Sequence, residues 1–210
     1  MRIAWHGHAC FEINDGCTVV TDPHDGKSIG LASPVVQADL VLLSHDHYDH
    51  NCARIVKGDP AVVDSAVEET INGVKIRTFK TFHDEARGEK RGDNRIFCFE
   101  LDGVTFCHLG DLGHLLSDEV VSSIGQVDVL FVPVGSVFTI DGAAGWKTVS
   151  MIKPKITIPM HYWLRGLLLS LRPLEDFLSH VTEPVTRVGN EVVFEKEDLP
   201  ESTKVWVFNF

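Results

Sequence analysis

Short apolar stretches alternate with turn residues along the first part of the chain. Arg2 to Trp5, Cys10 to Ile13 and Thr18 to Thr21 are separated by Gly7 and by Asn14-Asp15-Gly16, as the strands of a meander would be. Ala38 to Leu43 is nearly all apolar, the pattern of a strand covered on both faces, and it ends at Ser44-His45. Ala61 to Asp64, Val74 to Phe79, Val127 to Val132 and Lys155 to Ile158 predict further strands, and Ile96 to Leu101 with Val104 to His108 predicts a hairpin turning at Asp102-Gly103. Helix-start signals are fewer. Ser117 to Ile124 opens on a Ser cap with acidic residues in its first turn, Asp141 to Ile152 on an Asp cap, and Pro173 to His180 on a first-turn proline. Strands mixed with a few helices, in two groups, predict an α/β sandwich. No repeat, low-complexity tract or Pro/Ser-rich linker divides the chain, so residues 1–210 read as one domain.

A chain of 210 residues buries about 70% of its unfolded surface, enough for a core that needs no staples. Thirty acidic residues against nineteen basic ones give a net charge of -11, which opposes the phosphate neutralisation that nucleic-acid binding depends on, so no nucleic-acid partner is expected. Bound cations would offset part of that charge. The five cysteines are scattered, with no C-x-x-C pair, which indicates neither a disulfide framework nor a cysteine zinc site and fits a cytoplasmic location. Arg2, His6, His8, Glu12 and Asp15 interrupt the N-terminal region where a signal peptide needs an apolar run, and nothing approaches the ~18 apolar residues of a membrane span. Composition leaves the oligomeric state open.

The chemistry concentrates in Ser44 to Asn51, which contains H-x-H-x-D-H. At this chain's own composition that pattern arises by chance in about two chains per thousand, so it reads as a metal-binding loop rather than a solvated histidine patch. On extended backbone, His45 and His47 point the same way and can share one ion, while Asp49 and His50 can turn to a second. Four ligands do not complete two sites. His83, Asp111 and His161 each follow directly on a strand-like run, and loops beyond strand ends are where ligands collect.

The order H-x-H-x-D-H, then His, Gly-Asp and Pro-Met-His-Tyr resembles the metallo-β-lactamase superfamily, in particular its UPF0173 and ascorbate-6-phosphate-lactonase-like hydrolases. The resemblance runs from about Ile3 to Tyr162 and includes Gly7 to Phe11, Thr21-Asp22-Pro23, Phe82-His83-Asp84, His108 to Asp111, Pro133-Val134-Gly135 and Ile158 to Tyr162. It implies a four-layer αββα sandwich with the site at one edge between the sheets. It assigns His45, His47 and His83 to a first metal, Asp49, His50 and His161 to a second, and Asp111 as the bridging carboxylate. Two departures stand out: His6 replaces a usually aliphatic residue, and the leucine-rich Trp163 to Pro173 matches no part of the pattern.

Two divalent ions about 3.5 to 4 Å apart can lower the pKa of a shared water towards 7, with Asp49 orienting that water or accepting its proton. The expected function is hydrolysis of an ester-like bond, such as a lactone or phosphodiester, in a small anionic substrate. A phosphodiesterase or nuclease of the same fold, or a non-catalytic metal-binding protein, is the alternative. Mixed N/O ligands favour zinc, with manganese or iron also accommodated. His8 and Asp22 are candidates to reach the site as supporting or substrate-binding groups, whereas His108 and His114 read as packing or exposed residues and His24 and His180 as surface. Asp84 to Asn94, rich in charge and carrying Gly88 and Gly92, predicts an exposed loop beside His83 that could act as a lid. Trp163 to Pro173 is expected to wall the substrate pocket, with Arg165 holding an anionic group.

Overall fold

The computed structural model describes residues 1–210. In chain order its strands are β1 (Arg2–Trp5), β2 (Phe11–Asp15), β3 (Cys17–Thr21), β4 (Leu40–Leu42), β5 (Ala61–Val63), β6 (Glu68–Ile71), β7 (Val74–Phe82), β8 (Asp93–Leu101), β9 (Val104–His108), β10 (Val129–Pro133), β11 (Ile156–Met160), β12 (Val185–Val188), β13 (Glu191–Val193) and β14 (Lys204–Phe208). The helices are α1 (Asp118–Ile124), α2 (Gly142–Ile152) and α3 (Leu174–Leu178). Ser117 caps α1 by accepting from Val120 N–H, and Asp141 caps α2 by accepting from Ala144 N–H, as their sequence signals require. Pro173 precedes α3 without a side-chain cap.

Two sheets form, with orders β13-β1-β2-β3-β4-β5 and β12-β14-β11-β10-β9-β8-β7-β6. Side-chain alternation shows how they stack. Leu40 and Leu42 of β4 join the large core cluster that contains Phe97, Phe106 and Phe131 of the other sheet, while Val41 between them joins a separate cluster with Val36, Ala38 and Val56. One face of the six-stranded sheet therefore packs on its partner. Its outer face is covered by the segment before β4 and a short 3-10 turn, Ala53–Ile55, while α2 packs on β10 and α3 on the far side of the sandwich. The mixed α/β sandwich read from the sequence is the architecture observed.

Strand direction sets where chemistry collects. β3 and β4 run parallel, and β1 shares their direction because both it and β3 are antiparallel to β2. In the second sheet β9, β10 and β11 are parallel, and β7 shares their direction through the antiparallel β8. His8, Asp22, Ser44 to His50, His83, Asp111 and His161 all lie just beyond the C-terminal ends of these co-directional strands.

Ten predicted strands form with boundaries shifted by a few residues, the largest shifts being at the β7–β8 hairpin. β7 runs on through Lys80 and Thr81 to Phe82, because pairing with Asn94 and Asp93 outweighs the polar character of those positions. Four strands have no predicted counterpart. β6 and β12 are the two edge strands of the eight-stranded sheet, with mostly exposed side chains, β13 is three residues at one edge of the six-stranded sheet, and β14 pairs with β11 some way back along the chain. β14 did carry a usable signal, the alternation that buries Val205 and Val207. No helix is long and apolar enough to cross a membrane.

Candidate metal centre

The β4 loop is organised by a residue from the preceding strand end. Asp22 Oδ1 accepts from Ser44 N–H at 2.7 Å, and Asp22 Oδ2 accepts from Ser44 Oγ–H at 2.6 Å and from His50 Nδ1–H at 3.1 Å. With its proton committed to Asp22, Ser44 Oγ accepts from His45 Nδ1–H at 2.8 Å. One fully buried carboxylate thus fixes the tautomers of His45 and His50 and leaves both Nε2 atoms as acceptors, the arrangement a metal-ligating imidazole needs.

Those atoms converge. His45, His47 and His83 offer ligand atoms within 4.8 Å of one another, and His8, Asp49, His50 and His161 form a second such group. Asp111 stands between the groups. Its Oδ2 lies 3.1 Å from the Nε2 atoms of both His83 and His161, 3.3 Å from that of His50 and 3.8 Å from that of His45. Asp111 Oδ1 and His45 Nε2 are buried without a hydrogen-bond partner, which is costly in a protein interior unless a cation satisfies them. Burial opposes the Asp111 charge, but His161 and His50 hold its carboxyl well below the usual range. Burial pushes His45 down to about 3, whereas His50, despite its burial, is raised by the Asp111 and Asp49 carboxylates. Among protein groups alone, the Asp111 and Asp49 carboxylates pull a proton onto His50, the positive charge this buried set of side chains calls for; a divalent cation would supply that charge and displace the proton from His50 Nε2.

His8 and His161 are locked to each other. Both adopt left-handed backbone, φ 55° and 54°, and the His8 carbonyl accepts from His161 N–H and from the Trp5 indole. His8 Nε2 lies 3.1 Å from Asp49 Oδ2 and 3.1 Å from His50 Nε2, so the residue enters the second group. Close backbone approach supports two histidines of these groups. A Cβ on Gly135 would overlap the His161 carbonyl oxygen, and one on Gly113 would overlap the backbone joining His83 to Asp84. Asn94 joins the strand ends: its side chain donates to Leu109 O and Thr81 Oγ1 and accepts from Asp111 N–H. The roles of Asn94 and Ser44 escaped the sequence reading because neither residue type marks a site; their function comes from what lies opposite them.

A cavity of about 250 Å³ opens on this cluster. Its wall includes His47, Asp49, His83, Asp111 and His161, together with Tyr48, Arg91, Phe138 and Leu169. Leu169 places part of the Trp163 to Pro173 segment on the cavity, as expected, but Arg165 lies elsewhere, in a separate depression with Trp163, Pro173 and Arg187. The arginine at the site is Arg91. The segment turns Arg165 outward because Leu167 and Leu171 are buried against Ile29, and that packing fixes which side chains face the cleft. His24 is not a surface residue either: it is fully buried and its Nε2–H donates to His6 O at 3.0 Å. His108 packs in the core between Phe11 and Phe131, His114 bonds the end of β7 through Phe82 N–H, and His180 is exposed.

The Asp84 to Asn94 loop is solvent-facing but internally ordered. Asp84 accepts from Ala86 and Gly88 N–H on one oxygen and from Lys90 and Arg91 N–H on the other, at 2.7 to 3.0 Å. Against a desolvation cost, those N–H groups hold its carboxyl below the usual range.

Residues 2–161 match the model of the beta-lactamase superfamily domain. A UPF0173 metal-dependent hydrolase of Thermoplasma acidophilum is 29% identical over 187 residues, covering 77% of this chain and 83% of its relative. One from Pelotomaculum thermopropionicum is 30% identical over 192 residues, covering 77% and 84%. A crystal structure of a metallo-beta-lactamase superfamily protein from Thermotoga maritima superposes with a TM-score of 0.82 at 41% identity, covering 99% of this chain and 97% of the other.

Proposed function

Because the chain belongs to the metallo-β-lactamase superfamily, in its UPF0173 branch, we propose that it is a metal-dependent hydrolase acting on an ester-like bond, a lactone or phosphodiester, of a small molecule. His45, His47 and His83 would hold one divalent ion and Asp49, His50 and His161 a second, with Asp111 shared between them. Zinc is the first choice for this N/O donor set. Two such ions would supply a Lewis acid for the scissile bond and a water that ionises near neutral pH.

The observation that carries this reading is the convergence of two ligand groups on Asp111, whose Oδ1 is buried and unpartnered. The chain's own residues supply the rest. Asp22 and Ser44 hold the imidazoles of His45 and His50 in the tautomers that ligation requires. Asp49, at the cavity wall, is the group positioned to orient a nucleophilic water or take its proton. Phe138 and Leu169 give the cavity an apolar wall beside the ligand groups. The negative net charge and the absence of a basic stripe favour a small substrate over a nucleic acid.

The test is elemental analysis of zinc- or manganese-reconstituted protein combined with a turnover screen over lactone, phosphodiester, thioester and lactam substrates. Two ions per chain and turnover of an ester-like bond that disappears on chelation are expected. Saturation at one ion would refute the dinuclear assignment, and absence of turnover across all four bond types the catalytic one.

A further inference from the structure

Arg91 is a cation without an ionic partner in a chain dominated by acidic residues. Its guanidinium sits 4.5 Å from the centroid of the Phe138 ring, and only Nη2 is engaged, on Val137 O at 3.4 Å. No carboxylate lies within ion-pair distance of it, a state it shares with five other arginines, but Arg91 alone of the nine lines the cavity over the cluster. The Phe138 ring attracts the cation over its face, and Nε and Nη1 make no hydrogen bond, which leaves donors for a carboxylate or phosphate.

Arg91 also stands at a junction. It lines the 250 Å³ cavity over the metal-ligand cluster and the adjoining cavity of about 520 Å³, and Phe138 and His83 are shared by both. A substrate whose reacting bond lies among the histidines would extend past Arg91 into the larger space. The backbone that presents Arg91 is held by Asp84, which accepts from its N–H at 2.8 Å and from three other amides of the same loop. Asp84 spends both oxygens on this task and is not free to neutralise the arginine.

Resting on the hydrolase reading for where the reacting bond lies, we propose that Arg91 is a specificity-determining residue that binds an oxyanion carried by the substrate away from the reacting bond, with the apolar part of the substrate against Phe138 and Leu169, and that Asp84 is its positioning residue. The substrate class is then a carboxylated or phosphorylated small molecule.

Calorimetric titration of succinate and of inorganic phosphate into the metal-loaded protein tests this. Arg91→Gln is expected to weaken at least one of the two probes tenfold or more, with Arg91→Lys falling between because a point charge cannot fork. A loss confined to succinate identifies a carboxylate, and one confined to phosphate a phosphoryl group. Asp84→Ala is expected to weaken the same probe, and the Asp84→Ala/Arg91→Gln double variant to bind no more weakly than Arg91→Gln alone, since both act through one side chain. Additive losses would deny Asp84 its positioning role. Affinities for both probes within twofold of wild type in Arg91→Gln, or no binding of either probe to wild type, would overturn the proposal. Hydrolysis is read separately by comparing 4-nitrophenyl acetate with the hemisuccinate ester. If wild type cleaves neither ester and none of the four bond types of the turnover screen while the Arg91 effect on binding persists, the hydrolase reading falls and the anion site stands; if both esters are cleaved, the preference for the hemisuccinate should drop at least tenfold in Arg91→Gln.

Discussion

Two loops flank the same cluster of histidines and aspartates and are held by opposite means. The Asp84 to Asn94 loop buries almost nothing apolar and is closed by one carboxylate that accepts four amides from within seven residues of itself. The Trp163 to Pro173 segment has no such organiser: Leu167 and Leu171 pack on Ile29, Leu168 N–H donates to Ile29 O, and Arg172 N–H donates to Gly135 O. Its shape depends on residues distant in the chain, Gly135 before α2 and Ile29 more than a hundred positions earlier. The first loop can therefore present a charged side chain, Arg91, at the cleft, because no apolar surface competes for the inward positions. The second presents Leu169 and turns Arg165 away, since desolvating two leucines outweighs any preference of the arginine.

Asp111 serves both sides equally, and its replacement should have the largest effect. Asp111→Ala is expected to lower turnover by about a thousandfold or more, with loss of bound metal, while circular dichroism stays native because the core is untouched. A variant that keeps its metals and its rate would remove Asp111 from the centre of the site.

Leu171→Ala should distinguish the walls. It opens a cavity in the small Ile29 cluster and is expected to cost about 2 to 5 kcal/mol of stability by chemical denaturation, with faster proteolysis of residues 163–173 and little change at 84–94. Equal loosening of both loops would show that they are one cooperative unit.

The segment beneath the second wall should also give way to acid. Burial pushes His24 down to about 4, so between the ordinary imidazole value near 6.5 and 4 the unfolded chain takes up a proton that the folded chain refuses. Stability of the metal-free protein is therefore expected to fall as pH drops through that window and to level off below it, by at most about 3 kcal/mol from this residue. His24→Gln should flatten that part of the profile. An unchanged slope would place the acid sensitivity in other groups.

The smallest global effect is expected from Asp84→Ala. Amides of Ala86, Gly88, Lys90 and Arg91 should exchange with solvent at least about tenfold faster, while the melting temperature moves less than in Leu171→Ala. A large drop in melting temperature would mean that the loop supports the sandwich rather than only itself.

Much of this molecule is local in origin, and that part was legible in the chain. The apolar runs that became β1 to β5 and β7 to β11, the Ser117 and Asp141 caps, and the clustering of His45, His47, Asp49 and His50 rest on neighbours within a few residues. The expected positions of His83, Asp111 and His161 after strand ends followed from the same logic, because a strand delivers whatever follows it to a predictable edge. Tertiary structure decided what depends on distant partners. It made Asp22 and Ser44 the keepers of two imidazole tautomers, buried His24 under a backbone carbonyl, recruited β14 beside β11, and tied Asn94 to the loop of Asp111. It also decided between two arginines. Arg165 follows His161 by four residues and Arg91 follows His83 by eight, and both carry the same chemistry, so spacing along the chain cannot rank them. What ranks them is that buried leucines hold one segment and a buried carboxylate the other, and only the second leaves its guanidinium over the cleft.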